Sequence, residues 1–528
     1  GIDLDKAPTI FRPSPFPAGK ENILVIWREG QRRFYQLEPE LYRALLALDK
    51  ESANMLINLL SKPAALLRAG ATLSPDFMIR NPIRDMWTAM IYSDYGFKPQ
   101  DFIKGLFSVL KKDDLYWKFH ASGAAHGAMV SLDRDYLQGA LRNVLETSTR
   151  EKVKNLLKNP LELLRALSEY GEMATRIGEF GRGLKAEGKT GKGIRKAALS
   201  ARDVALDYTR WGYVGKVPNR VIAFFNANVQ GMDKMARSFK NNPGRTILRS
   251  LLYITLPSII LYLLNRDDER YQELPQWEKD LFWIILTPKH VFRIPKPFEL
   301  GVIFGTLAER VLDYIYTEDP AAFKGYLNTV KEAGLPDILP TAFTGWIEAF
   351  YANKSFFTGR PIVPVGEERL PAEHQYGNYT SETAKLIGRL LKISPRKADH
   401  IAYSYGGGLA RYGTKVLDQL IKAVGATEKV TKPASTLADY PVIGAFTSRV
   451  WSNSHSIDKF YNLLDEAEKI YSKAKTGVVL TEREKDKLAK LKGYRSAATY
   501  MSQLRIEGQK VFESPVLTAQ EKREMLDT

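Results

Sequence analysis

The sequence predicts a mainly α-helical, multi-helix, elongated protein with a short N-terminal β-hairpin. Three observations carry that reading. Apolar residues recur at helical spacing through most of the chain. The alternation of strand and helix that builds a parallel sheet is absent. A single pair of β-type runs, Asn22–Trp27 and Arg33–Leu37, stands around Glu29-Gly30.

The elements follow in order. Gly1 to Lys20 holds four prolines, Pro8, Pro13, Pro15 and Pro17, and reads as an extended arm without the basic-then-apolar order of a signal peptide. Leu41, Leu45, Leu48, Met55, Ile57, Leu59 and Leu60 mark the first helix. Asn81-Pro82 is expected to open the next, because a proline in the first turn loses no hydrogen bond. Met86, Met90, Tyr92, Phe102, Ile103, Leu106, Phe107 and Leu110 continue the pattern. Arg142 to Tyr170 is long and amphipathic, broken at Asn159-Pro160. Gly178 to Gly193 is rich in Gly and Lys and reads as a flexible loop. Tyr405-Gly406-Gly407-Gly408 reads as a turn between helices, and Pro361 to Pro371 as a non-helical stretch. Thr481 to Glu484 and Thr518 to Glu521 have capping-box spacing. Two or three solvent-facing helices are expected from Ser456 to Thr528, with Phe460, Leu463, Leu464 and Ile470 as their apolar stripe. The composition shifts divide the chain into an arm with a hairpin and a helix at 1–78, a helical core at 79–430 and a charged helical region at 431–528.

Composition bounds the chemistry. The 528 residues contain no Cys, so disulfides, thiolate catalysis and Cys-based zinc sites are excluded. With 6 His, a His-rich metal centre is not expected. His120 and His126 lie six apart, which is no helical-face spacing, and no metal is assigned. Lys and Arg total 77 against 60 Asp and Glu, a net charge of +17 that favours an acidic partner such as nucleic acid or an anionic membrane.

Three segments could carry function. Gly183-Leu184-Lys185-Ala186-Glu187-Gly188-Lys189-Thr190 fits the phosphate-loop pattern, but no apolar strand leads into it, so it reads as a linker. The same region is basic: nine Lys and Arg face three acids between Arg182 and Lys216. Lys185, Lys189, Lys192, Arg195, Lys196 and Arg202 are the candidates for DNA-backbone contact, with a solvated loop as the equal alternative. Leu251 to Leu264 is the most apolar run. Its reading as a buried core helix is favoured. The functional alternative is a membrane-active segment carried by Leu251, Leu252, Ile254, Leu256, Ile259, Ile260, Leu261 and Leu263. A second apolar patch, Leu281 to Leu286, follows. Glu172 stands four before Arg176, a spacing that suits an ion pair far better than a glycosidase acid.

Several segments together resemble a known family. They are Arg80-Asn81-Pro82-Ile83-Arg84-Asp85, Tyr170 to Arg176, Ala201 to Tyr208, Phe224 to Gly231, Tyr271 to Pro275, Arg293 to Gly301 and Phe356 to Pro364. Their order and wording resemble a large polyvalent-protein-associated domain of tailed bacteriophages, over roughly Met78 to Leu420. The resemblance implies a setting rather than a mechanism. Such domains sit in very large phage proteins thought to be packaged in the virion and delivered with the genome. No catalytic residue and no cofactor carries over.

The expectation is therefore a non-enzymatic internal virion protein, an ejection or core protein. It would assemble with itself and with portal and other internal virion proteins, contact DNA backbone without reading sequence, and pass from the virion interior to the host envelope or cytoplasm. A start at Gly1 would suit a processed protein or a segment of a polyprotein. In Arg293 to Gly301 the two prolines are expected to hold an extended packing segment. The alternatives are an enzymatic module, peptidoglycan-cleaving through Glu172 or nucleotide-dependent through Lys189, and a DNA-binding module of a larger phage polyprotein.

Overall fold

The computed structural model describes residues 12–13, 23–28, 31–36, 55–127, 160–207, 215–423, 432–448 and 455–527, apart from a few single positions. It is mainly α-helical. The expected N-terminal hairpin is present: strands β2 (Ile23–Arg28) and β3 (Gln31–Gln36) pair antiparallel, Ile23 opposite Gln36 and Arg28 opposite Gln31. A short strand β1 (Arg12–Pro13) from the proline-rich arm adds to the far side of β3.

Helices α1 (Met55–Thr72) and α2 (Pro75–Tyr92) follow. Ser74 caps α2 by accepting from the Phe77 amide at 3.3 Å, with Pro75 in the first turn. This corrects the expected start at Asn81-Pro82. Pro82 lies inside α2, where its ring rests against Gly171: a Cβ on that glycine would stand 2.4 Å from the Pro82 Cγ. A proline inside a helix removes one backbone bond; the capping signal lies seven residues earlier, at Ser74-Pro75.

Helices α3 (Pro99–Lys111) and α4 (Asp114–Ala121) lead to α5 (Pro160–Glu187) and α6 (Gly191–Asp203). The expected break at Asn159-Pro160 is the start of α5; what lies between 128 and 159 is outside the described residues. The flexible loop expected at 178–193 is not one. Helix continues to Glu187, and Gly188, Lys189 and Thr190 alone make the turn. The glycines serve packing instead. A Cβ on Gly178 would stand 2.5 Å from the Asp101 carbonyl oxygen, and one on Gly183 would stand 2.7 Å from the Ala197 Cβ. Small residues therefore let α3, α5 and α6 approach backbone to backbone. Around them Val109, Phe119, Ile177, Phe180, Leu184, Ala197 and Ala201 form an apolar core. Inside it the fully buried Glu179 accepts from Ser93 at 2.7 Å and from Ser200 at 2.6 Å, tying the end of α2 to α6.

Helix α7 (Phe225–Asn241) precedes α8 (Pro243–Asn265). The patch at Leu281 to Leu286 is a second correction. It forms strand β4 (Phe282–Leu286), antiparallel to β5 (Val291–Pro295), so the hairpin at the N-terminus is not the only one. A short apolar run does not distinguish strand from buried helix by periodicity. The extended segment expected at Arg293-Ile294-Pro295 is β5. Helix α9 (298–317) follows it.

Helices α10 (Glu382–Leu391) and α11 (Pro395–Ala423) come after the expected non-helical stretch. Gly407, at φ 54° and ψ −145°, is non-helical, so α11 is two helices meeting at the expected glycine turn. The kink seats on α1, where a Cβ on Gly70 would stand 2.0 Å from the Gly406 carbonyl oxygen. The C-terminal region holds four helices, α12 (His455–Lys475), α13 (Glu482–Ala489), α14 (Leu491–Glu513) and α15 (Ala519–Asp527), where two or three were expected. Both capping boxes form: Thr481 with Glu484 and Thr518 with Glu521.

Candidate functional site

Helix α8 is 23 residues long and contains an 18-residue apolar window with a mean hydropathy of 1.9, of which only 22% is buried. At 1.5 Å per residue it reaches about 35 Å, against a hydrocarbon layer about 30 Å thick. Arg245 and Arg249 near its start are held by the rest of the chain. Arg245 pairs with Asp94 at 2.7 Å, and Arg249 donates to the Ser93 carbonyl at 2.6 Å. Arg266, just past its end, lies 3.6 Å over the Tyr316 ring.

The two faces of α8 are dressed in reverse of a soluble core helix. Thr246, Ser250, Ser258 and Asn265 are buried. Ser258 accepts from the Trp283 indole at 2.7 Å, Thr255 donates to the Phe304 carbonyl at 2.8 Å, and Asn265 donates to the Ile284 carbonyl at 2.7 Å. Outside stand Leu248, Leu251, Leu252, Leu256, Ile260, Leu263 and Leu264, with Leu252 50% and Leu264 74% exposed. A soluble protein normally buries such leucines and exposes the hydroxyls. The favoured sequence expectation, a buried core helix, is thus corrected. Of the eight named candidates, Leu251, Leu252, Leu256, Ile260 and Leu263 lie outside, Ile259 and Leu261 are half-buried, and Ile254 is fully buried against Trp283 and Leu300.

The reversal extends to α9, which the sequence reading did not single out. Thr306, Glu309 and Arg310 are buried; Leu307, Val311, Tyr314 and Ile315 are exposed. Lys296 pairs with Glu309 at 2.7 Å, and Arg310 pairs with Asp280 at 2.8 Å, both in the interior. Helix α3 repeats the pattern with Ile103, Phe107 and Leu110 outside. Apolarity was visible in these segments; which face it covered was not.

The basic candidates sit at the α5–α6 turn. Lys185, Lys189, Lys192, Arg195 and Lys196 are all exposed. Lys196 is bound to Glu187 at 2.8 Å, which holds that carboxylate below its ordinary range. Arg202 departs from the expectation: it is half-buried and pairs with the buried Asp207 at 2.9 Å, an internal strut rather than a free cation. Lys185, Lys189, Lys192 and Arg195 meet no carboxylate in an ion pair among the described residues. The phosphate-loop pattern does not form a cradle, because Gly183 and Leu184 are buried in α5 and the Thr190 hydroxyl caps α6.

Glu172 and Arg176 pair at 3.0 Å in the interior, and Arg176 also donates to the carbonyls of Arg202 and Leu206. That spacing is structural in this fold. His120 ends α4 and His126 lies in the short helical turn Ala124–Gly127. Among the described residues no three His, Asp or Glu side chains gather as a metal site.

Residues 268–443, a third of the chain, match the family model of large polyvalent protein associated domain 38. Domains of this kind occur in phage polyproteins. The match takes in Tyr271 to Pro275, Arg293 to Gly301 and Phe356 to Pro364, and begins after the earlier segments of the resemblance. No curated protein and no solved structure matches the chain.

Proposed function

We propose that this chain is a non-catalytic delivery module of a tailed-phage polyvalent protein, carried inside the virion and passed with the genome into the host envelope. The observation that carries this reading is α8. A helix of bilayer length that hydrogen-bonds its hydroxyls inward and turns its leucines outward is dressed for an apolar surrounding. Three of its polar residues, Thr255, Ser258 and Asn265, already have partners within the protein. Four unpaired cations at the α5–α6 turn supply the second contact, to DNA phosphates, independent of base sequence. Copies of the same chain, the portal and other internal virion proteins are its expected assembly partners. Among the described residues no chemical step is assigned to any side chain.

The test is flotation of the purified protein with phosphatidylethanolamine–phosphatidylglycerol vesicles. The native chain is expected to rise with the vesicles. The triple variant Leu252→Asp, Leu256→Asp and Ile260→Asp keeps its helical circular dichroism, because all three side chains are exposed, and loses at least about tenfold in partitioning, since each apolar side chain withdrawn from lipid forfeits on the order of 1 kcal/mol. A native chain that stays at the bottom of the gradient, or a triple variant that floats equally well, overturns the reading.

A further inference from the structure

A second surface of different chemistry opens beside the β4–β5 hairpin. It is a cleft of 1620 Å³, walled by α2, the short helix Gln276–Leu281, the outer part of α11 and the start of α12. Its volume exceeds the roughly 300–1,000 Å³ of a typical small-molecule pocket. Only Tyr262 of helix α8 lines it.

One wall is a cluster of guanidinium groups. Arg80 and Arg84 lie one turn apart on α2. Arg80 and Arg293 both stand 5.2 Å from the centre of the Phe282 ring, and both donate to the Ala445 carbonyl. Arg84 stands 4.8 Å over Phe298. Their charge is unevenly matched. Arg293 pairs with the buried Glu278. Neither Arg80 nor Arg84 has a carboxylate within ion-pair distance among the described residues, and the buried Arg84 Nε has no hydrogen-bond partner. Asp76 is the carboxylate nearest to Arg80 along α2, and it accepts a hydrogen bond from the Tyr412 hydroxyl at 2.7 Å. Across the cleft α11 adds the exposed Arg411 and Lys415. Burial, aided for Arg80 by its neighbour Arg293, pushes the Arg80 and Arg84 guanidinium groups down to about 10. Such crowding of like charge is relieved by a bound anion.

Beside the cations stand aromatic faces. Trp277 lies 6.3 Å from Phe282 and 6.0 Å from Phe357, and Phe356, Phe357 and Tyr440 are about half exposed within the lining. Unmatched arginines supply phosphate contacts and open aromatic rings supply stacking platforms, the two parts from which single-stranded nucleic-acid grooves are made. The cleft is not uniformly basic. Asp280 is spent on Arg310, Asp313 accepts from Tyr262 and Glu278 is spent on Arg293, while Asp76 lies near Arg80 and accepts from Tyr412.

We infer that this cleft binds a nucleoside phosphate, free or within a single strand, with its phosphate on Arg80, Arg84, Arg411 and Lys415 and its base against Trp277 and Phe357. The strand is the better fit to a groove of this volume. No bond is made or broken.

The test uses the full chain carrying Lys185→Ala, Lys189→Ala, Lys192→Ala and Arg195→Ala, so that the α5–α6 turn cannot answer for the cleft. Fluorescence anisotropy is read with a labelled oligothymidylate of about fifteen nucleotides, within the length range of such grooves, and separately with a fluorescent adenosine triphosphate. The oligonucleotide is expected to bind, and Arg84→Met together with Phe357→Ala to weaken it at least tenfold. Arg84→Met removes no hydrogen bond among the described residues. Arg411→Ala with Lys415→Ala, both on exposed positions, gives a second route to the same loss should the first pair unfold. Binding of the triphosphate with equal affinity supports the site and assigns it to free nucleotides. Binding of neither probe, or binding unmoved by both variant pairs, overturns it.

Discussion

In the bundle of α3, α5 and α6 the interior is Val109, Phe119, Ile177, Phe180, Leu184 and Ala197. Around α8 and α9 it is Ser250, Ser258, Lys296, Thr306, Glu309 and Arg310, with Ile254, Trp283 and Leu300 supplying the apolar contact. Both regions are helical and both bury ion pairs. The difference lies in where the leucines went. The bundle turns the side chains of its core inward and gains the familiar transfer free energy, although Ile103, Phe107 and Leu110 of α3 stay outside. The central region leaves such apolar side chains outside and closes its interior with hydrogen bonds and charge pairs at Ser258, Lys296, Thr306, Glu309 and Arg310, while the buried Ser250 hydroxyl has no partner among the described residues. An interior of the second kind specifies a geometry more than it stabilises one.

The largest effect separating the two is expected at Lys296. Lys296→Met removes the partner of a buried Glu309 and the donor to the Lys279 carbonyl. Stranding a buried charge costs about 3–5 kcal/mol, read as a fall in the denaturant midpoint with the chain otherwise intact. A cost near zero would mean the central interior is wetter than its burial indicates.

A smaller effect of opposite origin is expected in the bundle. A Cβ on Gly105 would stand 1.9 Å from the Ala174 carbonyl oxygen, backbone against backbone. Gly105→Val is expected to cost about 1–3 kcal/mol or more by overpacking, seen as a lower Tm. The same substitution at Gly244, where nothing lies within 4 Å of the added Cβ, tests the distinction by leaving packing untouched.

The finest distinction is a pH dependence. Burial, reinforced by the nearby Glu172, pushes the Asp85 carboxyl up to about 7. An acid whose folded pKa is raised keeps its proton in the folded state while the unfolded chain has lost it. Stability from this group is therefore intact below 3.8 and declines as pH rises toward 7. Asp85→Asn should match the native chain in acid and exceed it at neutral pH in chemical denaturation. A constant difference across that range would place the Asp85 charge elsewhere.

Much of the architecture was readable from residues. Thr481-Glu484 and Thr518-Glu521 carry their helix starts in local chemistry, and the hairpin at Ile23 to Gln36 carries its strand pattern. Three features were not readable, each for a physical reason. Gly178 and Gly183 look the same in sequence whether they loosen a loop or admit a neighbouring helix. Phe282 to Leu286, buried on both faces at its start, lacks the alternation that marks a strand. The outward face of α8 depends on where Trp283, Phe304 and Ile284 present their polar partners, and these lie 19 to 49 residues away in sequence. For the candidate surfaces, residue type located the basic turn and the apolar helix. It did not foresee that Arg202 would be absorbed by Asp207, nor that Arg80 and Arg293 would meet over one ring.

Helix α8 has one further property. Between Leu251 and Thr255 it winds with π-helical turns, and the Leu256 amide bonds five residues back, to the Leu251 carbonyl. Relative to a regular α-helix, such a turn accommodates an additional residue. Each residue is worth roughly 100° of rotation about the axis at 3.6 residues per turn. The π segment thus acts as a phase setter. It lets Leu248 before it and Leu252 within it share an outward stripe with Leu256, Ile260 and Leu263 after it, while Ser250 and Ser258 both stay inside. A matching π turn in α9, at Gly301–Thr306, meets it where Gly305 lies against Ile254 and Ser258. The two helices are keyed to one another like gears cut with the same missing tooth, and the direction in which α8 faces the outside is written into that shared step.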